Sequence, residues 1–380
     1  MHKSWWNNQY WLIIAFIVLL LVTTFMHRDS LLDTEKVADD ERLYHVGVLI
    51  DSTIYDGGWN QAHYEGFEEA AKELGVQVHY KTYVLDNDDE AIRLAGEELI
   101  KEGCREIFAT SFGYGEGIKE LAKKHPDIYF FHCAGTETAP NLSVYFGRMY
   151  QARYLSGMAA GMRTKTNHIG FVAAMPIEEV KRGINAFTLG VRKVNPQAVV
   201  HVRWTSSWDN EEQEKAVTQK LLQEYPIDIV AYHQNSSHLL EKASEMGAEG
   251  IGYHYDNMDK LPDSMLTAAV WDWKRLYTRL IKECIDGRFN SKIYYLGFNE
   301  NVIRITPIRK NTLSNEQIAI INSAKDAMMG GGWDVFYGPI YSQDGQLMLK
   351  QGEKFSDKYL IQNMNWLVMG TEGSEDGTNN

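Results

Sequence analysis

From Leu43 onward, short apolar runs alternate with amphipathic stretches. The runs Val46–Ile50, Val76–Tyr83, Glu106–Thr110, Ile128–Cys133 and Val144–Gly147 are short and sit between turn-forming residues, so they read as strands. Between them, Asn60–Leu74, Asp89–Glu102 and Glu116–Lys124 carry apolar residues at helical spacing. Tyr150–Met162 reads as a helix with a small, apolar face suited to close packing. A second series follows, with strands at Ile169–Ala174, Val199–Trp204, Ile229–Tyr232 and Gly250–Tyr255 and helices at Glu178–Val194, Glu211–Gln223 and Ser237–Met246. The pattern then gives a strand at Leu266–Val270, a helix at Trp273–Asp286, strands at Lys292–Phe298 and Val302–Ile305, and a helix at Asn315–Met329. Two β-α series predict an α/β protein with two doubly wound parallel sheets, each binding ligands at the carboxyl ends of its strands.

The most informative loop follows the first strand. DGGWN delivers Trp59 and Asn60 to the start of a helix. An aromatic plane beside an amide suits a small flat molecule with a polar edge. The plainer alternative is that Trp59 packs within its own lobe and Asn60 caps the helix. TSFGYGEG places Phe112 and Tyr114 just after another strand, among glycines that permit close backbone approach. The spacing does not make a dinucleotide fingerprint. Glu178 and Glu179 open a helix after Pro176, where solvated acids suit the helix dipole. YHQNSS sets Gln234 and Asn235 beyond a strand end, where amides could read a base edge or simply form the turn. Catalytic signatures are missing: the sequence has no P-loop, GxSxG or HExxH motif, and its histidines have no metal-ligand spacing. No enzyme activity, metal or cofactor is expected.

Composition narrows the partners. A net charge of −13 without a basic stripe argues against nucleic acid and acidic membrane surfaces. Cys104, Cys133 and Cys284 match no zinc or redox motif and read as buried thiols, with one disulfide of unassigned pairing as the alternative. Ahead of the repeating pattern, Trp11–Met26 carries no charge and is flanked by Trp5, Trp6 and Tyr10. It is read as an uncleaved membrane anchor over residues 10–26, with 1–9 inside and 27–42 as a polar tether. A signal peptide is disfavoured because no small-x-small cleavage site follows the run, and no lipid-accepting cysteine does either.

Several separated segments, DGGWNQAHYEGFEEA, TSFGYGEGIKELAKKHPDIYFFH, MPIEEVKRGINAFTLGVRKVNP and FYGPIYSQDGQ, resemble in order the basic membrane protein family. These are PnrA-like, purine-binding substrate-binding proteins of ABC importers. The resemblance spans about Leu43 to Gly370 and implies the type I periplasmic-binding-protein fold, with three crossovers between two lobes. It assigns 43–149 and 268–298 to lobe 1, 150–267 and 299–370 to lobe 2, and 371–380 to a polar tail. It also implies that the Glu178 region faces the ligand and that Asp256 accepts hydrogen bonds from it. Trp271 stands about where nucleoside-binding members carry a lysine, which points to a free adenine-like base; it could supply a second aromatic face. The expected function is extracytoplasmic capture of a purine base for an ABC permease and ATPase. The alternatives are a membrane-anchored purine sensor reporting to a signalling protein, and a nucleoside hydrolase.

Overall fold

The computed structural model describes residues 14–25, 43–256, 258–261 and 263–379. Residues 14–25 form a helix, α1, with an exposed surface. Among the described residues no helix is long and apolar enough to cross a membrane. The rest of the expected anchor (10–13 and 26), the segment 1–9 and the tether 27–42 lie outside the described residues.

Lobe 1 begins with β1 (His45–Leu49), α2 (Trp59–Leu74), β2 (Gln77–Lys81), α3 (Asp89–Lys101) and β3 (Glu106–Ala109). It continues through α4 (Gly115–Lys124), β4 (Tyr129–Cys133) and β5 (Leu142–Gly147). Lobe 2 then runs through α5 (Met149–Arg163), β6 (His168–Ala173), α6 (Glu178–Val194), β7 (Val199–Trp204) and α7 (Glu211–Glu224). It goes on with β8 (Ile229–His233), α8 (His238–Glu245), β9 (Glu249–His254) and β10 (Met265–Trp271). The chain returns to lobe 1 for α9 (Trp273–Ile285) and β11 (Ile293–Leu296), then re-enters lobe 2 with β12 (Ile303–Ile305) and α10 (Asn315–Met329). A short hairpin, β13 (Ile340–Tyr341) with β14 (Leu347–Leu349), precedes α11 (Asp357–Gln362) and β15 (Thr371–Glu372).

The first sheet has strand order β11-β5-β4-β3-β1-β2, and every pairing in it is parallel. The second has order β12-β10-β9-β8-β6-β7-β15, parallel except where β12 meets β10. In each sheet the strand order reverses beside the first strand, between β1 and β3 and between β6 and β8. Such reversals open a crevice at the strands' carboxyl ends. The chain crosses between lobes three times, after β5, after β10 and after β11. This is the periplasmic-binding-protein-like architecture.

Two expected boundaries move. β10 pairs along its length with β9 and β12, so the second crossover falls after Trp271, not at residue 268. The expected polar tail is docked: Thr371–Glu372 adds a parallel strand to β7, the Trp204 indole donates to the Ser374 carbonyl (2.8 Å), and the Trp204 amide donates to the Asn379 side chain (2.8 Å). Main-chain pairing of this kind needs no apolar side chains, so a polar segment can form it. The small face expected on the helix after β5 is real: a Cβ on Gly157 would lie 2.1 Å from the Phe187 carbonyl oxygen, and one on Gly190 2.0 Å from that of Tyr154. Helices α5 and α6 therefore meet backbone to backbone.

All three cysteines are free and buried. Beside the Cys284 thiol lies Glu106, fully buried at the start of β3. Burial pushes its carboxyl up to about 8. An acid whose folded pKa exceeds its unfolded value costs stability when ionised, and the cost fades as pH falls below the folded pKa. Glu106→Gln should therefore raise the melting temperature by several degrees at pH 9 and by much less at pH 5. Melting curves at both values check this.

Candidate ligand-binding cleft

The two strand-order reversals face each other across one small cavity. From lobe 1 it is lined by Asp51 after β1, Asp86 after β2, Ser111 and Phe112 after β3, and Ala134 after β4, with Trp59 at the start of α2. From lobe 2 come Glu179 after β6, Trp208 after β7, His233 and Asn235 at and after β8, and His254 at the end of β9. Each wall is thus built from residues at the carboxyl ends of successive parallel strands. The free volume is about 40 Å³. Ligand pockets typically offer roughly 300–1,000 Å³, so the lobes are closed here and must part to admit a ligand.

Local chemistry explains how Trp59 and Asn60 reach this place. The carboxylate of Asp56 caps α2, accepting from the amides of Gly58 (2.8 Å), Asn60 (2.8 Å) and Gln61 (3.0 Å). Asn60 is therefore not the cap, and its buried Oδ1 has no partner among the described residues. Trp59 donates its indole N–H to the Thr110 carbonyl (3.1 Å) and meets His63, His254, Trp271 and Trp273 edge-on. It is at once a packed residue of lobe 1 and a wall of the cavity. The Trp59 amide donates across the cleft to the Asn235 carbonyl (3.0 Å). A second tie runs from the Tyr255 hydroxyl to Glu65 on α2 (2.9 Å).

The polar groups around the cavity are short of partners. Asp51 Oδ1, Asp86 Oδ1 and His233 Nδ1 are out of water without a hydrogen bond among the described residues. Burial pushes the Asp51 carboxyl up to about 7, reinforced by Asp86 and opposed by the Asn60 amide. Burial also raises Asp86, opposed by the Ser111 hydroxyl that donates to it (2.8 Å). His233 is depressed by burial, although Glu179 lies 3.4 Å away. Acceptor-only carboxylates between aromatic faces can hold a flat molecule that carries N–H groups.

The nine residues singled out from sequence divide clearly. Trp59, Phe112 and Asn235 line the cavity, and Asn60 lies directly behind Asp51. Tyr114 does not: it is fully buried in lobe 1 and donates to the Val84 carbonyl. Gln234 is also buried behind the wall, its amide donating to Thr205 (2.9 Å). Glu178 faces a neighbouring hollow of about 270 Å³ that shares Phe112, Ala134 and Glu179 with the cleft. Trp271 is packed between the lobes, stacked on Trp273 with 4.3 Å between centroids. Asp256 lies in an outer groove, exposed and 3.5 Å from Arg304. Asp256→Asn should accordingly change ligand affinity less than about twofold, as expected for an exposed ion pair; titration calorimetry checks this.

Sequence reasoning passed over Asp51, Asp86, Ser111, Glu179 as a wall residue, Trp208 and His254. The available signal was position. Each lies at or after the carboxyl end of a strand, as Trp59 does, but a lone Trp in the polar loop TSSWDN carries no periodicity to mark it.

Comparison with known proteins agrees with this fold. The sequence model of one family, described as ABC transporter substrate-binding protein PnrA-like, matches residues 43–331. A purine-binding protein of Brucella abortus is 33% identical over 88% of this chain and 95% of its own. A Haloferax volcanii protein named for glucose binding in an ABC transporter is 31% identical over 85% of this chain and 78% of its own. Among solved structures, a solute-binding protein of an ABC transporter system from Aeropyrum pernix aligns with a TM-score of 0.67 at 18% identity, covering 78% of this chain and 94% of that one.

Proposed function

Because the chain belongs to the PnrA-like ABC transporter substrate-binding proteins, we propose that its interlobe cleft captures a purine nucleobase outside the cytoplasm and hands it to an ABC importer. The observation that carries the ligand class is the pairing of aromatic walls with unpartnered carboxylate oxygens. Trp59, Phe112 and Trp208 offer planes, and Asp51 and Asp86 offer acceptors. A purine supplies a flat π-face and N–H groups at its edge. The 33% identity to a purine-binding protein supports the same ligand. Glucose, named for the other relative, could stack on a tryptophan but has no flat π-face to fill the space between two aromatic walls. Trp271, standing about where nucleoside-binding members carry a lysine, supports a free base over its nucleoside.

Calorimetry on the protein from Leu43 onward, with adenine, guanine, hypoxanthine, adenosine and glucose, tests the proposal. A free base should bind tightest. A nucleoside or glucose binding at least as tightly as every base would refute it. We also propose that residues 10–26 hold the chain at the membrane, supported by their uninterrupted apolar character. Recovery of the intact chain in the soluble fraction of its host would refute that.

A further inference from the structure

His254 ends β9 with φ +66°, a left-handed conformation that non-glycine residues seldom adopt. It is 2% exposed and belongs to two cavities: the ligand cleft on one side and the outer groove of Asp256 and Arg304 on the other. The Trp271 indole, which can only donate, gives its N–H to His254 Nδ1 at 2.9 Å. Nδ1 must therefore be unprotonated. Burial holds the ring well below its ordinary pKa, with His233, Arg153 and His63 adding to the effect, so the imidazole is neutral. A neutral ring with an accepting Nδ1 carries its proton on Nε2. No hydrogen bond from that nitrogen occurs among the described residues.

We propose that His254 is a specificity residue of the cleft, a single N–H donor locked in one tautomer by Trp271, and that it selects ligands with an unprotonated ring nitrogen or carbonyl opposite their N–H edge. This rests on the purine reading and deepens it. Asp51 and Asp86 can only accept while ionised, whereas His254 can only donate through Nε2. Together they demand a heteroaromatic edge with acceptor and donor at fixed positions. Trp271 then acts as a positioning residue. It touches no part of the cavity, yet it fixes which ring nitrogen of His254 bears the proton. A site built to pair a ligand nitrogen discriminates strongly against the analogue lacking it.

The test compares adenine with its 1-deaza, 3-deaza and 7-deaza analogues, each of which replaces one ring nitrogen by C–H. On the wild-type protein one analogue should bind about tenfold or more weakly than adenine, the loss expected for one hydrogen bond. On His254→Phe that deficit should fall below about twofold, the signature of a direct pair. Nitrogen-15 NMR of labelled histidine provides the second readout. It should show His254 with Nδ1 unprotonated and Nε2 protonated in the wild type, and a mixture of tautomers in Trp271→Phe. Deaza ratios unchanged by His254→Phe, or a protonated Nδ1 in the wild type, would overturn the role of His254 and leave the purine reading standing. Failure of every purine to bind the wild type would remove the purine reading, and this inference with it.

Discussion

Replacing Gly58 by alanine should hold the two lobes apart and weaken ligand binding on the order of 100-fold, the cost of emptying the binding-competent closed state. The residue sits where the lobes touch. A Cβ there would lie 1.7 Å from the Asn235 carbonyl oxygen and 2.8 Å from the carbonyl carbon. Both are rigid main chain, so neither can rotate away. The same carbonyl accepts the Trp59 amide at 3.0 Å, a main-chain hydrogen bond across the cleft mouth. The added methyl thus removes a tie and inserts a wedge in its place. Each lobe should fold as before, because Gly58 precedes α2 and Asp56 still caps that helix. Unliganded melting should move little, while small-angle scattering with saturating ligand should show a larger radius of gyration than for the wild type. Wild-type affinity in Gly58→Ala would mean that the lobes bind ligand without closing this far.

Much of this architecture is legible in the sequence because parallel strands buried on both faces leave unbroken apolar runs. Most observed strands lie within about two residues of the expected runs, the ordinary slack of element boundaries. What failed was information that periodicity does not carry. Residues Ala268 to Trp271 are as apolar in lobe 2 as they would be in lobe 1, so the crossover left no mark before Asp272. β15 joins its sheet through main-chain bonds that a polar Thr-Glu pair makes as well as any other. The site errors share a different cause. Tyr114 and Gln234 sit one or two residues from true wall positions, and the local backbone turns them inward to satisfy Val84 and Thr205. Trp271 has the right chemistry for a stacking wall, but at the last residue of β10 it points into the aromatic column that joins the lobes. The Gly-Gly loop worked as a guide because its glycines mark a close approach, and close approach is what a closing cleft needs.

Affinity for a purine base should rise with pH through about 7 and then level off. Asp51 is the reason. Its carboxyl is pushed up to about 7 in the unliganded cleft, so it holds a proton over much of the acidic range. Ligand N–H groups bond the ionised form, which lowers the pKa in the complex. Binding below pH 7 must then release a proton, and Kd should increase about tenfold for each unit of pH until the pKa of the complex is reached. Asp86, also raised by burial, steepens the dependence if the ligand meets both carboxylates. Burial pushes neighbouring His233 and His254 down, which disfavours their protonated forms. Asp51→Asn should flatten the profile and weaken binding at pH 8 by about 1.5–3 kcal/mol, the worth of a charge-assisted hydrogen bond. The same substitution should stabilise the unliganded protein. A carboxyl with a folded pKa above its unfolded value of 3.8 destabilises the fold when ionised, fully above pH 7 and progressively less as pH falls. Melting temperature at pH 8 should therefore rise in Asp51→Asn while affinity drops, a trade in which an unpaired charge is kept for its ligand. Calorimetry from pH 6 to 8 with paired melting curves decides it. A flat wild-type profile, or equal losses of stability and affinity, would show that Asp51 serves the fold and not the ligand.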